Sequence, residues 1–300
     1  MKFGVHTGLQ NTSIDELVDL WQHIEDRGFE WISIWDHFYA ADQSGSASCL
    51  EAVTAHTALA ETTERVLCGS LVYSISYRHP AVIANAMATL DQIAKGRVVL
   101  GLGAGWHRHE YDAYGIPFPP APVRLRQLNE GIQCVRGLLT EPTTDFSGEF
   151  FTMREARCEP KPVQPRLPIW IGGGGEKVTL RIAARYADGW NVPFVAPDVY
   201  AHKVGVLHDH CAREERDPAS ITKAVNVGLA WSEEDLDAQF GGGFSEFVRP
   251  GVLMGSPQEM VDRIGEYRDA GAEWVIIARR APFDIDALDR FATDVLPNFS

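Results

Sequence analysis

A chain of 300 residues, 45% hydrophobic and 23% charged, has an ordinary globular make-up and can bury a large core without disulfides. Its formal net charge of −14 argues against nucleic acid or an anionic membrane surface as partners, because both need basic patches. No terminal run has the charged start and apolar core of a signal peptide, and no apolar segment is long enough to span a bilayer. The five cysteines (Cys49, Cys68, Cys134, Cys158, Cys211) are scattered, odd in number and without CxxC spacing, so a cytoplasmic chain with reduced thiols is expected.

Residues 3–7 form a short strand ending near His6. Ser13 and Glu16 make a capping box, Leu17, Leu20, Trp21 and Ile24 recur at helical spacing, and Gly28 ends that helix. Residues 31–35 are the next strand, delivering Asp36, His37 and Phe38 at its exit; Ser48 and Glu51 suggest a second capping box. A third strand covers 66–72, and Pro80 suits the first position of a helix, where its missing N–H costs nothing.

The stretch 90–116, LDQIAKGRVVLGLGAGWHRHEYDAYGI, carries the densest information. Lys95-Gly96 closes a helix, and residues 97–102 form an apolar run suited to a strand covered on both faces. Gly101, Gly103 and Gly105 let the backbone lie close to something flat, and Trp106, His107, His109 and Glu110 follow at the strand exit. Four prolines within 117–122 demand an irregular loop; a helix follows with Leu125, Leu128, Ile132, Val135 and Leu139 on one stripe. Residues 145–152 suggest a hairpin and 159–168 an extended segment, so 116–167 reads as an insertion after the fourth strand.

The fifth strand is expected at 168–172, the sixth at 189–194, the seventh at 222–231 and the eighth at 274–278. A second insertion, 239–255, includes three consecutive glycines and precedes a helix opened by Ser256, Pro257 and Glu259. Gly28-Phe29-Glu30-Trp31 and Gly271-Ala272-Glu273-Trp274 echo each other as helix-to-strand joints. Eight strands alternating with helices, and no complete GxGxxG fingerprint with a downstream acid, favour a single (β/α)8 TIM-barrel domain over 1–300 rather than a doubly wound sheet.

In such a barrel, ligands bind where the strands end. Gly172, Gly173, Gly174 and Gly175 lead into a helix carrying Lys177, Arg181 and Arg185, a pattern that favours a phosphate over a merely flexible turn with solvated cations. His37 is either a proton donor or cofactor partner, or a rim histidine satisfied by Asp36 or backbone. Histidine and acid spacings give no metal motif, and GxSxG is absent. Abundant glycine and aromatic side chains, with few carboxylates, suit a planar heteroaromatic cofactor.

The 90–116 stretch, with His79-Pro80 upstream and IWIGGGGEKVTLRIAARYADGWN over 169–191 downstream, resembles the bacterial luciferase-like monooxygenase superfamily. Within it, Trp35-Asp36-His37-Phe38 and residues 80–84 are most similar to the branch that uses the deazaflavin coenzyme F420. The resemblance implies that the glycine loop 172–175 with Lys177 cradles the cofactor phosphate and that His37 lies beside the ring. It also implies a non-proline cis peptide near Ser70-Leu71, with Ser70, Leu71 and Tyr73 supporting the ring face. Gly105, Trp106, His109, Trp190 and Asn191 would complete the cofactor site.

The implied activity is hydride transfer between F420 and a small organic substrate, in a homodimer. An FMN-dependent monooxygenase is the alternative cofactor reading, and a non-catalytic cofactor-binding barrel the alternative class. Trp106 and Ala41 depart from the acidic and aromatic residues of the sugar-phosphate dehydrogenases in the deazaflavin branch, so that substrate is not implied.

Overall fold

The computed structural model describes residues 1–41, 48–241 and 244–299. In chain order the elements begin β1 (Lys2–Thr7), α1 (Ile14–Asp26), β2 (Trp31–Ile34), α2 (Ala52–Thr62), β3 (Leu67–Ser70), β4 (Tyr73–Ser74), α3 (Pro80–Ile93) and β5 (Val98–Gly103). The first long excursion holds α4 (Arg108–Tyr114), α5 (Ala121–Thr140) and the antiparallel hairpin β6 (Thr144–Ser147) with β7 (Thr152–Ala156). Then come β8 (Ile169–Gly172), α6 (Thr179–Tyr186), β9 (Gly189–Pro193), α7 (Pro197–Arg213) and β10 (Thr222–Ala230). The chain finishes with α8 (Glu233–Phe240), α9 (Phe244–Val248), β11 (Val252–Met254), α10 (Pro257–Asp269), β12 (Trp274–Arg279) and α11 (Ile285–Asp294).

Eight of the strands close on themselves. The parallel order β1-β2-β3-β5-β8-β9-β10-β12 returns to β1, where Lys2 pairs with Trp274 and Thr7 with Arg279. This is the (β/α)8 barrel expected from the alternation of strands and helices. The second excursion contributes β11, which pairs in parallel with the end of β10; of its three glycines, Gly242 and Gly243 lie outside the described residues.

Two side-chain layers explain why the strands read as continuous apolar runs. Outward residues such as Val5, Ile32, Val98, Leu100, Ile171, Val225, Val275 and Ile277 pack under the helices. Inward residues Trp31, Val99, Trp170, Ala224, Trp274 and Ile276 fill the barrel interior. Trp31 lies 4.8 Å from Trp170 and 5.7 Å from Trp274, centroid to centroid. The echo between the Glu-Trp joints therefore has a packing cause: both tryptophans open their strands and meet inside the barrel. Room for them comes from a missing side chain, since a Cβ on Gly4 would sit 2.7 Å from Trp31.

Three local expectations change. Glu51, not Ser48, caps α2, its carboxylate accepting from the Thr54 N–H at 2.8 Å. The third strand stops at Ser70 instead of running to residue 72, and the chain resumes pairing with β5 only at Tyr73. The cis peptide lies between Leu71 and Val72, one bond later than expected. The capping boxes at Ser13 and Ser256 are both formed, each with its glutamate reaching back to the cap N–H.

Candidate active site

All the barrel strands deliver residues to one cavity of about 700 Å³ at their C-terminal ends. His6 comes from β1, while Trp35, Asp36 and His37 follow β2. Leu71, Val72 and Ser74 come from the break in the third strand, and Gly103 to Trp106 from the end of β5. Gly172, Gly173 and Asn191 line the side of β8 and β9; Asn226, Ala278 and Arg280 come from β10 and β12. Phe194, Phe244 and Phe247 add an aromatic flank, with Phe194 within 6.3 Å of each of the other two rings.

The break after Ser70 accounts for the glycines of β5. Val72 turns its side chain over β5 and β8, and a Cβ would approach it at 2.5 Å on Gly103 and 2.7 Å on Gly172. A Cβ on Gly101 would overlap the Ser70 carbonyl. These glycines therefore make room for the neighbouring strand, rather than presenting flat backbone as their pattern suggested. Gly105 is different: its φ is +74°, and a Cβ there would run into the Tyr111 hydroxyl.

Adjacent residues at the β2 exit have separate partners. Asp36 is buried against Arg78, whose Nη1 donates to both carboxylate oxygens at 2.9 and 2.8 Å, and it accepts from the Ser74 N–H at 3.0 Å. His37 is thus not satisfied by Asp36. Its Nδ1 lies 2.5 Å from Oε1 of Glu110, a residue of α4 that is fully buried. The same oxygen is 3.2 Å from Nδ1 of His107, and Oε2 accepts from the Phe38 N–H at 2.5 Å. Edge-on contacts with Trp35 at 5.6 Å and Trp106 at 5.4 Å hold the His37 ring from its sides.

These surroundings set the charges. Burial would raise the Glu110 carboxyl, but hydrogen bonds led by that from His37, with those from Phe38 and Tyr77, outweigh it and hold Glu110 below its ordinary value. Burial lowers His107 despite its carboxylate neighbour, so it is a neutral imidazole near pH 7. His6, bonded to the Ser33 hydroxyl at 2.9 Å, is lowered to about 3 by burial first and then by Arg280 and His37.

The glycine loop lies across the cavity from His37's strand. Gly173 has φ +121°, and Val178 precedes α6 without a side-chain cap hydrogen bond, which leaves the helix start without a side-chain acceptor. The helix opens at Thr179, later than expected, so Lys177 is exposed on the preceding turn and Arg185 pairs with Glu214 at 2.7 Å. The cation that reaches the loop is Lys203 of α7, donating to the Gly174 carbonyl at 2.9 Å and to Glu176 at 3.1 Å.

Of the residues singled out from the sequence, His37, Leu71, Gly105, Trp106, Gly172, Gly173 and Asn191 meet around the cavity. Others stand behind its wall. Ser70 bonds to the Gly101 N–H at 3.0 Å, and the Tyr73 hydroxyl lies 3.0 Å from His56 Nδ1 in the helix layer. Trp190 is buried on Tyr200 and donates to the Gly173 carbonyl at 2.9 Å, supporting the loop from outside the barrel. His109 is exposed, its ring 5.2 Å from that of Tyr39. Gly174, Gly175 and Lys177 extend the loop away from the cavity lining.

Sequence reasoning passed over Tyr77, Asn226, Phe244 and Phe247, which come from a turn, a strand interior and the short helix α9 with no motif, and it left the Glu110–His37 pairing unread across 73 residues. It also found no metal-ligand spacing, yet His37, His107 and Glu110 bring three possible ligand atoms within 4.8 Å of one another. Those atoms are occupied in hydrogen bonds among themselves.

A closed (β/α)8 barrel with a glycine loop and a histidine at the mouth of one large cavity is the frame of a cofactor-dependent enzyme. The family model for luciferase-like monooxygenases matches residues 1–240, and the chain belongs to that family. An F420-dependent glucose-6-phosphate dehydrogenase of Intrasporangium calvum is 28% identical over 99% of this chain and 98% of its own length. Another, from Microbacterium testaceum, is 32% identical over 77% of this chain and 68% of its own. Among solved structures, an F420-dependent secondary alcohol dehydrogenase in complex with an F420-acetone adduct matches with a TM-score of 0.87 over 98% of both chains, at 20% identity. At that identity the likeness speaks for the fold.

Proposed function

We propose that this chain is an F420-dependent oxidoreductase that moves a hydride between the deazaflavin and a small organic substrate, with His37 handling the accompanying proton. The observation that carries the reading is His37 at the cavity wall, facing the same space as the glycine loop. The residues fit the cofactor: Gly173 and the uncapped start of α6 suit a phosphate, and the cavity, at about 700 Å³, is sized for a ring and a small substrate.

When bound, F420 supplies the two-electron hydride chemistry. The chain supplies position and protons. Leu71 and Val72 line the cavity, Trp106 flanks it beside His37, and Gly172 and Gly173, with Gly174 and Gly175 further along the same loop, would hold the phosphate. As the carbon–hydrogen bond of a hydroxyl-bearing substrate gives up its hydride, the hydroxyl proton passes to the His37 nitrogen turned away from Glu110; the reverse reaction returns it.

The sugar phosphate named for the relatives is not proposed, because exposed Trp106 and small, buried Ala41 occupy the departing positions and Phe194, Phe244 and Phe247 line the flank. A homodimer fits the apolar groove of Val53, Ala81, Val82, Ala86 and Ile93 between α2 and α3, and sedimentation velocity would give twice the chain mass. The five cysteines form no disulfide, which fits a reducing cytoplasmic setting, and no helix among the described residues is long and apolar enough to cross a membrane.

The test is turnover without oxygen. Oxidised F420 mixed with a panel of alcohols should lose its deazaflavin fluorescence in the presence of the protein. His37→Asn should lower kcat by roughly 10²- to 10⁴-fold while still binding F420. Turnover that requires FMN and oxygen would overturn the proposal.

A further inference from the structure

We propose that Glu110 is a positioning residue that fixes His37 in one tautomer, proton on Nδ1, so that Nε2 presents its lone pair to the cavity. This rests on the reading of His37 as the proton-handling group.

The geometry has three parts. Glu110 is fully buried at the start of α4, and its side chain crosses to the β2 exit to reach His37 Nδ1 at 2.5 Å. Its second oxygen is committed to the Phe38 backbone N–H at 2.5 Å, a donor that cannot reverse its role, so the carboxylate is clamped from both sides. Nε2 of His37 makes no hydrogen bond to a described residue, and His37 itself lines the cavity. An ionised carboxylate accepts only, so the nitrogen facing it carries the proton, and in the neutral ring the other nitrogen carries the lone pair.

His107 strengthens the arrangement. Its Nδ1 lies 3.2 Å from the same Oε1, and as a neutral ring it donates to the carboxylate without competing for its charge. Glu110 thus serves two imidazoles and one amide. The pattern explains why a carboxylate is buried next to the cavity, rather than an amide. In a glutamine at this position the oxygen would have to face Phe38, which turns the NH2 toward His37. Nδ1 would then become the acceptor and Nε2 would carry the hydrogen, leaving no lone pair toward a substrate hydroxyl.

The experiment is long-range proton–nitrogen NMR on ¹⁵N-histidine-labelled protein, with His37→Asn assigning the resonances. Wild-type protein should show His37 protonated at Nδ1, and Glu110→Gln should switch it to the Nε2-protonated form. In F420-coupled turnover Glu110→Gln should lose roughly 10²- to 10⁴-fold in kcat with F420 affinity and substrate KM unchanged, and Glu110→Asp should recover part of that loss. If Glu110→Gln fails to fold, the wild-type tautomer alone decides: an Nε2-protonated His37 would overturn the proposal. So would a folded Glu110→Gln that keeps the Nδ1 tautomer and wild-type kcat. The spectrum needs no turnover, so a protein that binds no F420 but shows the expected tautomer sinks the functional reading and leaves this one standing.

Discussion

Gly105 shows how a single residue ties the site to the fold. It follows the end of β5, immediately before Trp106, at φ +74°, with Tyr111 and the Ser74 hydroxyl packed where a side chain would begin. The Tyr111 hydroxyl bonds to Ser74 at 2.6 Å, so the crowding atoms are themselves fixed. Gly105→Ala should cost about 2 to 4 kcal/mol of stability, from backbone strain plus displaced packing, measured by urea denaturation. A variant as stable as wild type would show that this turn is free to relax. At this scale the sequence was only partly legible. His37 could be picked out because it follows the apolar strand 31–35, and Trp106 because it follows a glycine-marked strand end. Glu110's role could not, because its partner comes from the exit of another strand and only the closed barrel brings the two together.

Between elements, polar hubs do the joining. Glu25, near the end of α1, accepts from the backbone N–H groups of Glu64, Arg65 and Val66 just before β3, at 3.0, 2.6 and 2.9 Å. Burial opposes its ionisation, but these bonds with Arg65 prevail and hold its carboxyl below the ordinary value of 4.5. A lowered carboxyl contributes stability above its unfolded value, and that contribution is lost as pH falls below 4.5 and through the folded value. Glu25→Ala should therefore cost about 2 to 4 kcal/mol near pH 7, with the gap from wild type narrowing in acid. An equal gap at both pH values would contradict this.

Helix starts at Ser13 and Ser256 were readable because a capping box is local chemistry within four residues. The third strand was not, because its break answers to the glycines of β5 and β8, which sit far away in sequence. Lys203 at the glycine loop was illegible in the same way, because it arrives from α7, far along the chain, to donate to the Gly174 carbonyl.

The molecule as a whole was the most legible, since alternating strands and helices, with Glu-Trp joints repeated at Trp31 and Trp274, leave few topologies other than a closed barrel. What the pattern could not supply was the composition of the cavity's aromatic flank, because Phe244 and Phe247 come from α9, a five-residue helix too short to show a periodic signal. Selection of a deazaflavin by this barrel's glycine loop and cavity is the property on which the proposed function depends. It is tested most directly by titrating the purified protein with coenzyme F420 and with FMN in parallel and following cofactor fluorescence. Saturable, tight binding of F420 and much weaker binding of FMN are expected. Tight FMN binding with none for F420, or binding of neither, would contradict it.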